Sequence, residues 1–83
     1  MKELRIRPQI TDNDLKTLVK RTQKWFSKNE RVKITVGFRA RQHLFMDDLG
    51  PKTIARFLGM LGSHKIVNPV QKQGRKFVAV IDP

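Results

Sequence analysis

The sequence predicts a two-layer α/β sandwich of order β-α-β-α-β-β, an α+β arrangement in which a mixed four-stranded sheet carries both helices on one face. Three observations predict it. Apolar residues alternate with polar ones at the start and in the middle of the chain, two stretches repeat their apolar residues at helical spacing, and the chain closes on two strand-like runs around a glycine. Strand-helix-strand units need a right-handed crossover that puts both helices on the same side, and the closing hairpin adds an antiparallel strand.

The elements follow in order. Leu4 and Ile6 alternate with Glu3, Arg5 and Arg7, which is the period of a half-buried strand, and Pro8 ends it. Thr11 offers a capping oxygen to a first helix, Asp12 and Asp14 supply negative charge near its start, and Lys20, Arg21, Lys24 and Lys28 supply positive charge toward its end. Leu15, Leu18, Val19, Thr22, Trp25 and Phe26 form its core-facing stripe, while Lys16, Lys20 and Lys24 share another face. Val32, Ile34, Val36 and Phe38 alternate with Lys33, Thr35, Gly37 and Arg39 in the clearest strand pattern. Leu44, Phe45, Met46 and Leu49 have helical character, but Gly50-Pro51 interrupts them, so Pro51 is read as the first turn of the second helix. Ile54, Phe57, Leu58 and Leu61 give that helix its buried side and Gly62 its stop. Ile66 to Val70 reads as a third strand despite Pro69, and Lys76 to Ile81 as a fourth, joined across Gln71-Lys72-Gln73-Gly74.

The charge says more about partners than about fold. Eighty-three residues carry 18 Lys and Arg against 7 Asp and Glu, a net charge of +11. Self-repulsion on that scale opposes a compact state, whereas neutralising phosphates releases counterions and turns the same side chains into binding energy. RNA is the leading partner. Residues 1–41 hold 12 basic residues against 4 acids, so the N-terminal half leads in candidate phosphate contacts. The chain has no repeat or low-complexity stretch, which puts the charge on folded elements.

Length and composition bound the rest. With 39% hydrophobic residues the chain is one domain, residues 1–83, burying roughly 60% of the surface its unfolded form exposes. Few walls remain for a deep catalytic pocket, which favours a binding module over an enzyme. No cysteine is present, so disulfides and thiolate metal sites are absent and a reducing compartment fits. No apolar run nears the roughly 18 residues that cross a bilayer, and Met1 to Pro8 lacks a signal-peptide core, so the reading is soluble and intracellular.

Individual residues sort the same way. Ser27 and Ser63 lie outside any nucleophile motif, and no phosphate-binding glycine loop is present, so no catalytic residue is assigned. His43 and His64 have no third partner at metal spacing, and Asp47-Asp48 read as a helix cap before a magnesium site, so neither metal nor cofactor is expected. Trp25 offers a stacking platform for a base, but its place beside Phe26 favours the rim of the core. Phe38, Phe57 and Phe77 belong to apolar faces.

The pattern also resembles a known family. Lys2-Glu3-Leu4-Arg5-Ile6-Arg7-Pro8, Thr11-Asp12 with Asp14, Val32-Lys33-Ile34-Thr35-Val36, Phe38-Arg39-Ala40-Arg41 and Gly74-Arg75 together look like the C-terminal domain of bacterial or organellar translation initiation factor 3. The resemblance covers nearly the whole chain and implies the same β-α-β-α-β-β fold. It implies contact with small-subunit ribosomal RNA through Arg7, Lys20, Lys24, Arg39, Arg41, Arg56 and Arg75, near the initiator tRNA. It further implies a monomeric factor that blocks premature joining of the large subunit and supports start-codon selection, in the bacterial cytoplasm, a mitochondrion or a plastid.

Several positions depart from the family pattern. Lys20 and Lys24 stand where arginine is common, which keeps charge but loses bidentate phosphate geometry. Leu18 takes a usually basic position, Gly37 one that is often arginine, and Ala40 replaces the glycine of the common Phe-Arg-Gly-Arg run. Arg41 to Gly50 carries one extra residue. A generic structured-RNA module in RNA processing or ribosome assembly, binding naked hairpins as well as subunits, is the alternative within the binding class. A peripheral adaptor for anionic membranes would need an exposed amphipathic helix, and both helices here commit their apolar stripes to the core.

Overall fold

A computed structural model describes residues 1–39 and 46–83. The elements run β1 (Lys2–Ile6), α1 (Asp12–Ser27), β2 (Val32–Gly37), α2 (Met46–Leu61), β3 (Lys65–Gln73) and β4 (Lys76–Asp82), in the expected order. The sheet is mixed, with strand order β1-β2-β4-β3. β1 and β2 pair in parallel, Leu4 opposite Ile34 and Ile6 opposite Val36. β4 lies antiparallel between β2 and β3, so the last strand fills the gap left by the β2-α2-β3 crossover.

Alternation decides the two faces of the sheet. Leu4, Ile6, Val32, Ile34, Val36, Phe77 and Ile81 are buried and join Leu15 and Val19 of α1 and Ile54, Phe57 and Leu61 of α2 in one core. Each such fully buried aliphatic or aromatic side chain stabilises the fold by about 1.5–3 kcal/mol. Phe38 joins them, its ring meeting Phe77 edge-on at a centroid distance of 6.2 Å and 76° between planes. Trp25 and Phe26 are half-buried at the rim of this core, as their spacing suggests.

Helix α1 starts and stops for the reasons read from its ends. The Asp14 backbone N–H donates to Thr11 Oγ1 at 3.3 Å, and Asp12 and Asp14 sit in the positive first turn. At the far end Asn29 takes a positive φ of 60°, the left-handed conformation that lets the chain leave a helix.

Helix α2 differs from expectation. It begins at Met46, five residues earlier than Pro51, which lies inside it. A proline there gives up one helical hydrogen bond and crowds the carbonyl four residues back, yet the helix continues through it to Leu61. Asp47 and Asp48 therefore occupy the first turn and do not precede the helix. The neighbouring glycine explains why the Gly-Pro pair belongs inside: Gly50 is buried, and a Cβ there would overlap the Phe77 ring. The end follows the sequence, with Gly62 at φ 85° directly after Leu61.

β3 is longer than its predicted Ile66–Val70, reaching Gln73, and the turn contracts to Gly74-Arg75. Gly74, at φ 65°, supplies the conformation such two-residue turns require at their first central position. Register shifts between Ile66 and Asn68 and between Asn68 and Gln71 let the strand accommodate Pro69 at the sheet edge. Lys72 then reaches back to Asp47 at 2.7 Å, tying the hairpin to the start of α2.

Candidate nucleic-acid interface

The parallel strands β1 and β2 end side by side, and the chemistry of the site begins there. Arg5 and Arg7 fall on the same side of β1 by alternation, while Leu4 and Ile6 fill the core. Arg39 follows Phe38, whose burial anchors the residue after β2. The Phe38 N–H donates to the Arg75 carbonyl at 2.8 Å, which draws the β3-β4 turn to the same end. Three of the predicted residues, Arg7, Arg39 and Arg75, are thereby collected by rigid elements at one end of the sheet. All three are exposed.

A depression of about 640 Å³ lies between Arg7 and Arg39, lined also by Arg5, Ile6, Pro8, Gln9 and Gly37. Its floor is fixed from below. Thr53 of α2 is fully buried, and its hydroxyl lies 3.1 Å from the Pro8 carbonyl and 2.8 Å from that of Leu49, so α2 holds the strand end in place. A second depression of about 460 Å³ continues from Arg5 and Arg7 toward Asp14, Thr17 and Leu18 of α1.

The remaining predicted residues lie elsewhere. Lys20 and Lys24 are exposed on α1, about 12 and 18 Å along the helix from Asp12. Arg56 is held by a 2.6 Å ion pair to Asp12 and a 3.4 Å hydrogen bond to the Ile10 carbonyl, so it fastens α2 to the start of α1. Its side chain remains 42% exposed. Arg41 lies outside the described residues, as do Ala40 and His43. None of the ion pairs among the described residues uses Arg7, Lys20, Lys24 or Arg75, which leaves their charge available to an external anion.

Other groups have internal duties. Asp48 pairs with Lys52 at 3.1 Å and Asp47 with Lys72, so the adjacent acids each neutralise a lysine. Arg31 and Asp82 form a two-bonded clamp, Nε to Oδ1 at 2.8 Å and Nη2 to Oδ2 at 3.1 Å, joining the start of β2 to the end of β4. The hydrogen bond from Arg31 holds the Asp82 carboxyl below its usual range; attraction to Arg31 and Lys65 adds to this and desolvation opposes it. The same bond raises the Arg31 guanidinium.

Sequence reasoning did not place Arg5 in the candidate set. Its side chain is 85% exposed, contacts Glu3 at 3.4 Å and lines both depressions. The signal was present, since a residue two positions before Arg7 on a strand shares its face.

The fold and this candidate site describe a small, strongly basic α+β protein with Arg5, Arg7 and Arg39 at the carboxyl ends of its parallel strands. A profile of the family "Translation initiation factor IF-3, C-terminal domain" matches residues 1–83. The chain belongs to that family. It is similar to translation initiation factor IF-3 of Treponema pallidum (30% identity), of Clostridium perfringens (31%) and of Chlamydia muridarum (33%), in each case over 100% of this chain and 46, 47 and 45% of the relative. The chain thus spans about half the length of the curated relatives it matches. No helix among the described residues is long and apolar enough to cross a membrane.

Proposed function

We propose that this domain binds the small ribosomal subunit through its ribosomal RNA, hinders premature joining of the large subunit and supports selection of the initiator tRNA and start codon. The observation that carries the reading is the convergence of Arg7, Arg39 and Arg75 at one rigid end of the sheet, in a chain that belongs to the initiation factor family. Arg41, two residues after Arg39, extends the set by its match to the family pattern.

The mechanism is occupancy. Guanidinium groups present paired donors that fit phosphate oxygens, and the sheet fixes their spacing before contact, so little order is lost on binding. RNA shape, phosphate and ribose contacts then give specificity with little reading of base edges. Lys20 and Lys24 lengthen the contact along α1, and Arg56 contributes the exposed part of its side chain while keeping Asp12. A monomer bound this way acts as a wedge on the subunit surface, in whichever compartment holds the ribosomes of its source.

Light scattering tests the reading. Added to purified subunits under conditions that favour association, the chain should slow the rise in scattering. An unchanged rise at saturating protein would refute the anti-association role.

A further inference from the structure

Gly37 ends β2 at the border between the strand-end depression and the side of the sheet that faces away from the helices. A Cβ built on it meets nothing within 4 Å. On the far side lies a second hollow of about 210 Å³, lined by Glu3, Arg5, Thr35, Gly37 and Lys76. The two hollows share Arg5 and Gly37, and any side chain at position 37 would stand between them. Glycine leaves no side chain there, and the adjoining hollows, taken together as a trough, have Arg7 and Arg39 at one end and Lys76 at the other.

Thr35 lies in this trough and is only 8% exposed. Its Oγ1 is buried and, among the described residues, has no hydrogen-bond partner. Buried hydroxyls rarely go unsatisfied, and each exception calls for a cause such as a bound water, ion or ligand. A duplex meets a protein with a convex surface of regularly spaced phosphates and has no use for a hollow beneath the cations. A single strand does, because an unstacked base needs a surface to lie on and an arginine plane serves.

Resting on the RNA-binding reading above, we infer that the trough over Gly37 holds one unstacked nucleotide of single-stranded RNA. Its flanking phosphates meet Arg7 and Arg39 on one side and Lys76 on the other. The base lies over Gly37 against the Arg5 guanidinium, with the Thr35 hydroxyl beneath.

The test compares a short single-stranded RNA with a blunt duplex RNA, measuring affinity for the wild-type chain, Gly37→Leu, Arg5→Gln and the double variant Arg7→Ala/Arg39→Ala. Gly37→Leu adds bulk without charge into open space, and should weaken single-strand binding by about fivefold or more while changing duplex binding less than about twofold. Arg5→Gln should weaken the single strand more than the duplex. The Arg7→Ala/Arg39→Ala variant should weaken both. Equal effects of Gly37→Leu on the two RNAs, or no effect on either, would overturn the seat while a loss in Arg7→Ala/Arg39→Ala preserved the interface. No loss in Arg7→Ala/Arg39→Ala would overturn both. Amide shifts of Gly37 and Thr35 in the unaltered chain, titrated with the single strand, read the same contact without a variant; shifts confined to α1 would overturn it.

Discussion

Gly50 of α2 and Phe77 of β4 approach so closely that the aromatic ring occupies the space a Cβ on residue 50 would need. This contact seats the start of α2 on the sheet, and α2 in turn holds the end of β1 through Thr53. The proposed interface therefore depends on a packing detail on the opposite side of the strands.

Two glycines of the same helix should respond oppositely to alanine. Gly50→Ala gains about 1 kcal/mol of helix propensity but forces the Phe77 ring aside, an overpacking cost of about 1–3 kcal/mol, so the protein should lose stability or at best break even. Gly59→Ala meets nothing within 4 Å and should gain about 1 kcal/mol. Urea denaturation midpoints of the two variants check the contrast.

Thr53→Val removes a buried hydroxyl while keeping the shape of the side chain. The hydroxyl has one proton to give to the Pro8 carbonyl at 3.1 Å or the Leu49 carbonyl at 2.8 Å, so one buried acceptor loses its donor at an expected cost of about 1–3 kcal/mol. Because Pro8 lines the strand-end depression, the same variant should broaden or shift the Arg7 and Gln9 amide signals, read by NMR.

The Arg31-Asp82 clamp predicts an acid-dependent effect. The folded state lowers the Asp82 pKa, so the clamp favours folding above the ordinary carboxylate pKa, near 3.9, and the benefit fades as pH falls through the lower folded value. Asp82→Asn should be less stable than the parent at neutral pH, and the gap should narrow in strong acid. Thermal melts at a series of pH values measure it, and a carboxyl titration of Asp82 should show a midpoint below the ordinary one.

How much of this was legible in sequence depends on the range of the forces involved. The Thr11 cap, the α1 stripe and the β2 alternation were readable because each is decided within a few residues. The early start of α2 was not, since the local rule treats Gly50-Pro51 as a break and only the distant Phe77 ring explains the glycine. The length of β3 was hidden as well: almost all of its residues are exposed, so no apolar period marks it, and pairing with β4 extends it. Among the site residues, the family pattern pointed to Arg7, Arg39 and Arg75, whose meeting depends on strand order and on the Phe38-Arg75 hydrogen bond. Arg56 was readable as a surface cation but not as the partner of Asp12, 44 positions away.

Salt dependence separates the parts of the interface. With about seven phosphate contacts, log affinity for subunit RNA should fall against log salt with a slope of about −5 to −6, and a slope shallower than about −2 would contradict the proposed surface. Replacing Arg75 by alanine should reduce the slope by about 1. Replacing Lys16, which shares a face of α1 with Lys20 and Lys24 but is not itself in the proposed set, should change it less.

Sedimentation of the chain with purified small subunits, large subunits and an unrelated structured RNA, at low and at moderately high salt, tests the central claim most directly. The account predicts selective recovery with small subunits, weakened by salt and lost in an Arg7→Ala/Arg39→Ala/Arg75→Ala variant that still folds. Equal recovery with all three partners would contradict it, leaving a basic domain that binds RNA without choosing the ribosome.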